Sequence, residues 1–254
     1  MPRQLALFLT AVQFLTRVPV PTLKDFQPDW TARSARYFPL VGALVGLVSG
    51  GVLVAASGVW SGVLPALLAT AAGVMLTGAF HEDGLADAAD GLGGGQTPER
   101  RLEIMKDSRV GTYGVLALGL AVAFKVAALG QTPVASVVLA LVAAHAGGRG
   151  VAVLVMRILP YAGDRASTKV KPVADGVKTA EVVVALAFVA LAMVPIMLTA
   201  PLATMGALAA GAGAAAVMAL LARRLIGGWV GDTLGATEQG FEIGFLVVFA
   251  GLVV

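Results

Sequence analysis

Polar and apolar residues follow one another along this chain in long blocks rather than in stripes. Runs of about twenty mostly apolar residues, the length a spanning helix needs, cover residues 38–57, 60–80, 111–130, 133–154, 182–199 and 201–222. A shorter run at 243–254 reaches that length only if its helix begins near Asp232 with a polar first turn. The pattern predicts an all-α fold, a polytopic transmembrane bundle of about seven spans, forming a single integral membrane domain over residues 1–254. Residues 5–18 are apolar but interrupted by Gln13 and Arg17, which predicts an N-terminal helix that lies in the interface or re-enters the membrane. Gly42, Gly46 and Gly50 recur every four residues on one face of the first span, the spacing of a close helix–helix seam.

The charges fall between these blocks, and only between alternate ones. They gather before the first span, at 82–109, at 157–181 and at 223–242, whereas the turns near residues 57–61, 131–132 and 200 carry none. Seven spans with the N-terminus on the charged side produce this alternation, and an excess of Lys and Arg makes that side cytoplasmic. Only Lys125 and Arg149 fall inside proposed spans; Lys125 lies nearer the uncharged side, where a long stem lets an ammonium snorkel to the headgroups. Composition sharpens the picture. Of 254 residues 58% are hydrophobic and 13% charged, too few charges to coat a soluble fold of this length. The net charge of +3 is read as orientation in a membrane, not as nucleic-acid binding. Cysteine is absent, which excludes disulfides and thiolate metal sites. No small-residue cleavage site follows the first apolar stretch, so a removable signal peptide is not expected.

Four polar clusters on the charged face are candidates for chemistry. The first is HEDGLADAADG at 81–91, where Asp83, Asp87 and Asp90 stand at i, i+4 and i+7. If the second span continues as a helix, these carboxylates share a face. An Asp at the centre of a span costs about 2.5–3.5 kcal/mol, so three of them belong at the rim or in a wet interior. Their mutual repulsion is relieved by a divalent cation, and hard oxygen ligands suit Mg²⁺, with Mn²⁺ as the alternative. Glu82 is a further candidate ligand, and a solvated helix end is the bland alternative. The second cluster, KDSRVGTYG at 106–114, brings Lys106 and Arg109 to the start of a span, an arrangement that favours phosphate or merely anchors the positive-inside face. The third places His145 and Arg149 at i and i+4 within a span, functional by default unless Arg149 snorkels. The fourth, GDTLGATE at 231–238, opens the last span; Asp232 and Glu238 would complete a metal shell, bind a sugar hydroxyl, or form a polar first turn. There is no G-x-x-x-x-G-K-[ST] and no G-x-G-x-x-G, and Leu85 spoils the zinc-protease pattern.

The chain resembles the cobalamin synthase (adenosylcobinamide-GDP ribazoletransferase) family. The resemblance rests on FLTRVPVP at 14–21, YFPLVGALVG at 37–46, HEDGLADAADGLGGG at 81–95, RRLEIMKDSRVGTYGVLAL at 100–118, GRG and the MRILPYA that follows to 162, and GDTLGATEQ at 231–239, in order over nearly the whole chain. Residues 163–177 carry the least of it. The resemblance implies that α-ribazole or its 5′-phosphate attacks the phosphorus next to cobinamide in adenosylcobinamide-GDP, releasing GMP, in a Mg²⁺-dependent reaction at the cytoplasmic (inner) membrane. Against that reaction Asp83, Asp87, Asp90 and Glu82 are expected on the metal, and Arg109 and Arg149 on phosphate. Lys106, His145, Asp232 and Glu238 are expected near substrate, and Asp90 is expected to take the ribazole hydroxyl proton. The expected partners are these two substrates and the bilayer; a homo-oligomer is left open. A CDP-alcohol-type phosphotransferase with another acceptor and a transporter are the rival readings.

Overall fold

A computed structural model describes residues 2–23, 26–27, 29–163 and 176–253. The charges of 164–175, and Lys24 and Asp25, lie outside the described residues. The described chain is helical: α1 (Arg3–Leu15), α2 (Trp30–Ser34), a 3-10 turn (Ala35–Tyr37) leading into α3 (Phe38–Ser57), α4 (Leu64–Thr77), α5 (Phe80–Gly94), α6 (Pro98–Met105), α7 (Thr112–Gln131), α8 (Val134–Ile158), α9 (Thr179–Thr199), α10 (Pro201–Ile226) and α11 (Gly231–Leu252). Among the described residues five stretches are long and apolar enough to cross a membrane: Trp30–Ser57, α7, α8, α9 and α10, with α4 and α5 a sixth if counted together. The seventh expected span is α11, 22 residues long, which does begin at the polar turn near Asp232. Its acidic residues lower its apolarity, and Glu238 and Glu242 are fully buried against the bundle instead of facing lipid. With 13 residues, α1 reaches about 20 Å at 1.5 Å per residue, too short to cross, and it packs its Ala6, Leu7 and Ala11 side onto α2 and α3.

Two seams hold the bundle. Along α3 and α8, the glycines read from the sequence do bring backbones together: a Cβ on Gly46 would stand 2.5 Å from the Leu141 carbonyl oxygen, and one on Gly50 2.9 Å from Val138 Cα. Gly42 leaves the space through which the Arg149 side chain passes. A second close approach joins α5 to α11, where a Cβ on Gly84 would meet Asp232 and one on Gly235 would meet the His81 carbonyl at 3.0 Å. The core between is built of Ala, Val, Leu and three stacked Phe side chains of α11, Phe241, Phe245 and Phe249.

The expectation that the second span continues straight through the acidic motif is corrected. α4 and α5 meet at 90°, because Gly78 (φ 67°) and Ala79 (φ 58°) both adopt the left-handed conformation. For Ala79 that conformation costs about 1–2 kcal/mol. Arg17 holds the bend: its N–H donates to the Leu76 carbonyl at 2.8 Å, and its side chain occupies the place where a side chain on residue 78 would stand. α5 therefore leaves the bundle axis and runs across the charged ends of α11 and α7.

Candidate active site

Turning α5 sideways sends its polar residues in two directions. His81 and Glu82 face inward, into a buried cluster with Lys125 of α7, His145 and Arg149 of α8, and Glu238, Gln239 and Glu242 of α11. The Arg149 guanidinium is 2% exposed and donates to Glu238 at 2.5 Å, to Glu242 at 3.0 Å and to the His145 carbonyl at 3.1 Å. Lys125 Nζ donates to Glu242 at 2.6 Å and lies 3.9 Å from Glu82. His145 Nδ1 stands 2.5 Å from Glu242, and Gln239 donates to Glu82 at 3.2 Å. Three carboxylates thus meet two permanent cations and two imidazoles where an unpaired charge would be prohibitive. The cavity among them holds about 20 Å³, room for about one water.

Asp83 and Asp87 lie on the outer side of α5, Asp83 exposed and Asp87 half-buried. They stand beside Asp232 in the first turn of α11, at the mouth of the bundle. Partial burial, then the charges of Asp83 and Asp90, push Asp87 up to about 6. Asp90 lies on the same face of α5, one turn further along. It is buried and accepts hydrogen bonds from Gly111 N–H at 2.7 Å and Gly114 N–H at 2.9 Å, closing the first turn of α7.

Beside the mouth opens a cleft of about 450 Å³, lined by Glu99, Glu103 and Lys106 around α6, by Tyr161, and by Val230, Gly231 and Asp232. Its size suits a small-molecule site. Arg109 projects from the loop after α6 with its side chain 87% exposed, donating to Asp107 at 2.6 Å. The hydrogen bonds from Arg109 hold Asp107 down to about 2.

The sequence-derived candidates therefore separate into two groups. Asp83, Asp87 and Asp232 stand together at the mouth and Lys106 lines the cleft, while Arg109 projects from the loop after α6 and touches Asp107. Glu82, His145, Arg149 and Glu238 are brought together elsewhere, in the buried cluster, and Asp90 faces α7. The expectation that Lys125 snorkels toward the uncharged side is corrected: it is 8% exposed and ion-paired, because Glu242 and Glu82 offer it a closer solvent than the headgroups. Sequence reasoning gave no role to Glu242, Gln239 or His81. The available signal was Glu238 and Glu242 at i and i+4, matching His145 and Arg149 at the same spacing. Among the described residues one set of ligand atoms, from His145, Glu238 and Glu242, is close enough to hold a metal ion. Arg149 and Lys125 already lie against those same carboxylates, so the position of a cation there is taken.

A family model described as cobalamin-5-phosphate synthase matches residues 7–250 of the chain. An adenosylcobinamide-GDP ribazoletransferase of Leptothrix cholodnii is 46% identical, over 93% of this chain and 92% of that protein. Proteins of the same name from Shewanella amazonensis (42%, over 95% and 93%) and a Polaromonas species (41%, over 96% and 95%) are similarly related. No solved structure matches the chain.

Proposed function

The chain belongs to the cobalamin-5-phosphate synthase family, and from this we infer that it is an adenosylcobinamide-GDP ribazoletransferase, joining α-ribazole or its 5′-phosphate to adenosylcobinamide-GDP with release of GMP. The observation that carries the site assignment is the mouth where α5 crosses α11. Three carboxylates, Asp83, Asp87 and Asp232, crowd one another beside a cleft edged by Lys106, and Arg109 projects freely from the loop after it.

The donor set fits a hard divalent cation, since oxygen ligands that repel one another are what such an ion relieves. Asp83 and Asp87 would hold Mg²⁺ or Mn²⁺, which when bound neutralises charge on the pyrophosphate and on the departing GMP. Lys106 binds phosphate oxygens in the cleft. Arg109 is free to leave Asp107 for the bidentate grip that guanidinium offers phosphate. Asp232, which lines the cleft beside the other two carboxylates, is suited to accept the ribazole hydroxyl proton. Asp90 has both oxygens on α7 backbone N–H groups and serves by fixing the loop that carries Lys106 and Arg109. Arg149 and His145, enclosed with Glu238 and Glu242, hold α8 to α11 beneath the site. The basic residues on this face support a site at the cytoplasmic side of the inner membrane.

The deciding assay uses purified protein with adenosylcobinamide-GDP, α-ribazole 5′-phosphate and Mg²⁺. The expected result is GMP and a cobalamin 5′-phosphate in equal amounts. Release of a different nucleotide, or none, overturns the reading.

A further inference from the structure

α8 and α10 run toward the charged face side by side but barely touch. α10 presents Ala212, Ala216 and Ala219 where a filled interface would carry larger side chains, facing Val151, Leu154 and Ile158 of α8. The result is an open apolar groove of about 360 Å³. Between Ala212 and Arg223 it runs about 16 Å at 1.5 Å per residue, close to half of a hydrocarbon core about 30 Å thick. It therefore follows one leaflet from the midplane to the charged rim. Arg223 is the one charged residue in its lining and stands at the rim end. Arg224 and Arg157 are exposed in the last turns of the same two helices, and none of the three arginines has an ion-pair or hydrogen-bond partner among the described residues.

We propose that this groove is a binding site for one anionic phospholipid of the charged-face leaflet, its acyl chain lying between α8 and α10 and its headgroup phosphate on Arg223. An acyl chain is the occupant because the groove opens toward the bilayer between spanning helices, with Leu154, Ile158 and Leu220 exposed around it. The headgroup is anionic because the groove ends on guanidinium groups that no described residue pairs.

The test is native mass spectrometry of the full chain in mild detergent, offered equal amounts of phosphatidylglycerol and phosphatidylethanolamine with matched chains. The wild type should retain one phosphatidylglycerol in preference to phosphatidylethanolamine by about fivefold, the factor one basic residue supplies near an anionic surface. Arg223→Met should bind both equally, Arg223→Lys should keep the preference, and Ala216→Leu, which fills the groove, should retain neither. Inorganic phosphate should not displace the lipid, since it lacks the chain. Equal retention of both lipids by the wild type overturns the proposal, as does an unchanged preference in Arg223→Met. Lipid-free protein, whether a monomer with the groove covered by its own chain or a dimer with a second copy seated there, overturns it as well.

Discussion

Asp87 sits where two demands meet: enough burial and enough neighbouring negative charge to favour its proton, and a place in the mouth where an ionised carboxylate is wanted. With its affinity raised to about 6, a proton would compete with the proposed metal ion for it. Below pH 6 the Mg²⁺ concentration for half-maximal turnover should rise by about tenfold per pH unit for each proton displaced, and Mg²⁺ titrations across pH 5–8 would show it. Asp87→Asn should lower turnover by about 10²-fold or more, flatten that pH dependence and leave the amount of folded protein unchanged. Wild-type turnover by the variant at limiting Mg²⁺, or full wild-type activity after exhaustive EDTA treatment, would remove the metal from the mechanism. Lys125 offers the opposite test. It is buried with Glu242, and breaking a buried pair by removing one partner costs about 3–5 kcal/mol. Lys125→Met should therefore unfold at clearly lower temperature in detergent, whereas a snorkelling lysine would be replaced without effect.

Helices carry these residues into place by their ends as much as by their faces. Asp90 closes the first turn of α7, and losing such a cap costs about 0.5–2 kcal/mol. Asp90→Ala should loosen residues 106–111 to hydrogen exchange and raise the KM for the nucleotide substrate more than it lowers kcat. A collapse of kcat alone would instead give Asp90 the chemical role that the sequence suggested. The blocks of apolar residues made the spans legible, since a bilayer admits little else. The glycine seam of α3 was legible too, and Gly46→Val should abolish folded protein by driving a side chain into the Leu141 backbone. The bend at Gly78 and Ala79 was not, because alanine in a left-handed conformation leaves no mark in a sequence. Asp83, Asp87 and Asp90 do share one face of α5, since the bend precedes that helix. What the bend changes is where that face lies: Asp232 joins Asp83 and Asp87, Asp90 reaches α7, and Glu82 joins a cluster whose pairing of Lys125 with Glu242 bridges 117 positions. Local spacing cannot reveal such a partnership.

For the molecule as a whole, the distribution of charge supports the proposal that the charged face carries the site. Among the described residues five stretches are long and apolar enough to cross, six with α4 and α5 taken together; with α11 as a seventh, the proposed topology alternates from a charged-side entry into α3. The tight turns at Gly58–Val63, Thr132 and Ala200 carry no charge and would then share the other face. The buried cluster leaves a cavity of about 20 Å³, room for about one water, which does not favour a transporter. The topology is testable independently of activity. A reporter active only outside the cytoplasm should work when inserted at Thr132 or Ala200 and stay silent at Gly94, next to the acidic motif. A reporter active only inside should give the reverse. α4 makes the Gly94 result the informative one, since its 14 residues span about 21 Å at 1.5 Å per residue and the chain completes its return only by bending into α5. If the reporter at Gly94 works outside, then α3 and α4 do not form a full crossing pair and the mouth lies on the face away from the cytoplasm, where nucleotide-activated substrate is not made. If it stays silent while Thr132 reports, the acidic mouth, the cleft with Lys106 and the arginines of α8 and α10 share the cytoplasmic surface, as positive charge on that face requires.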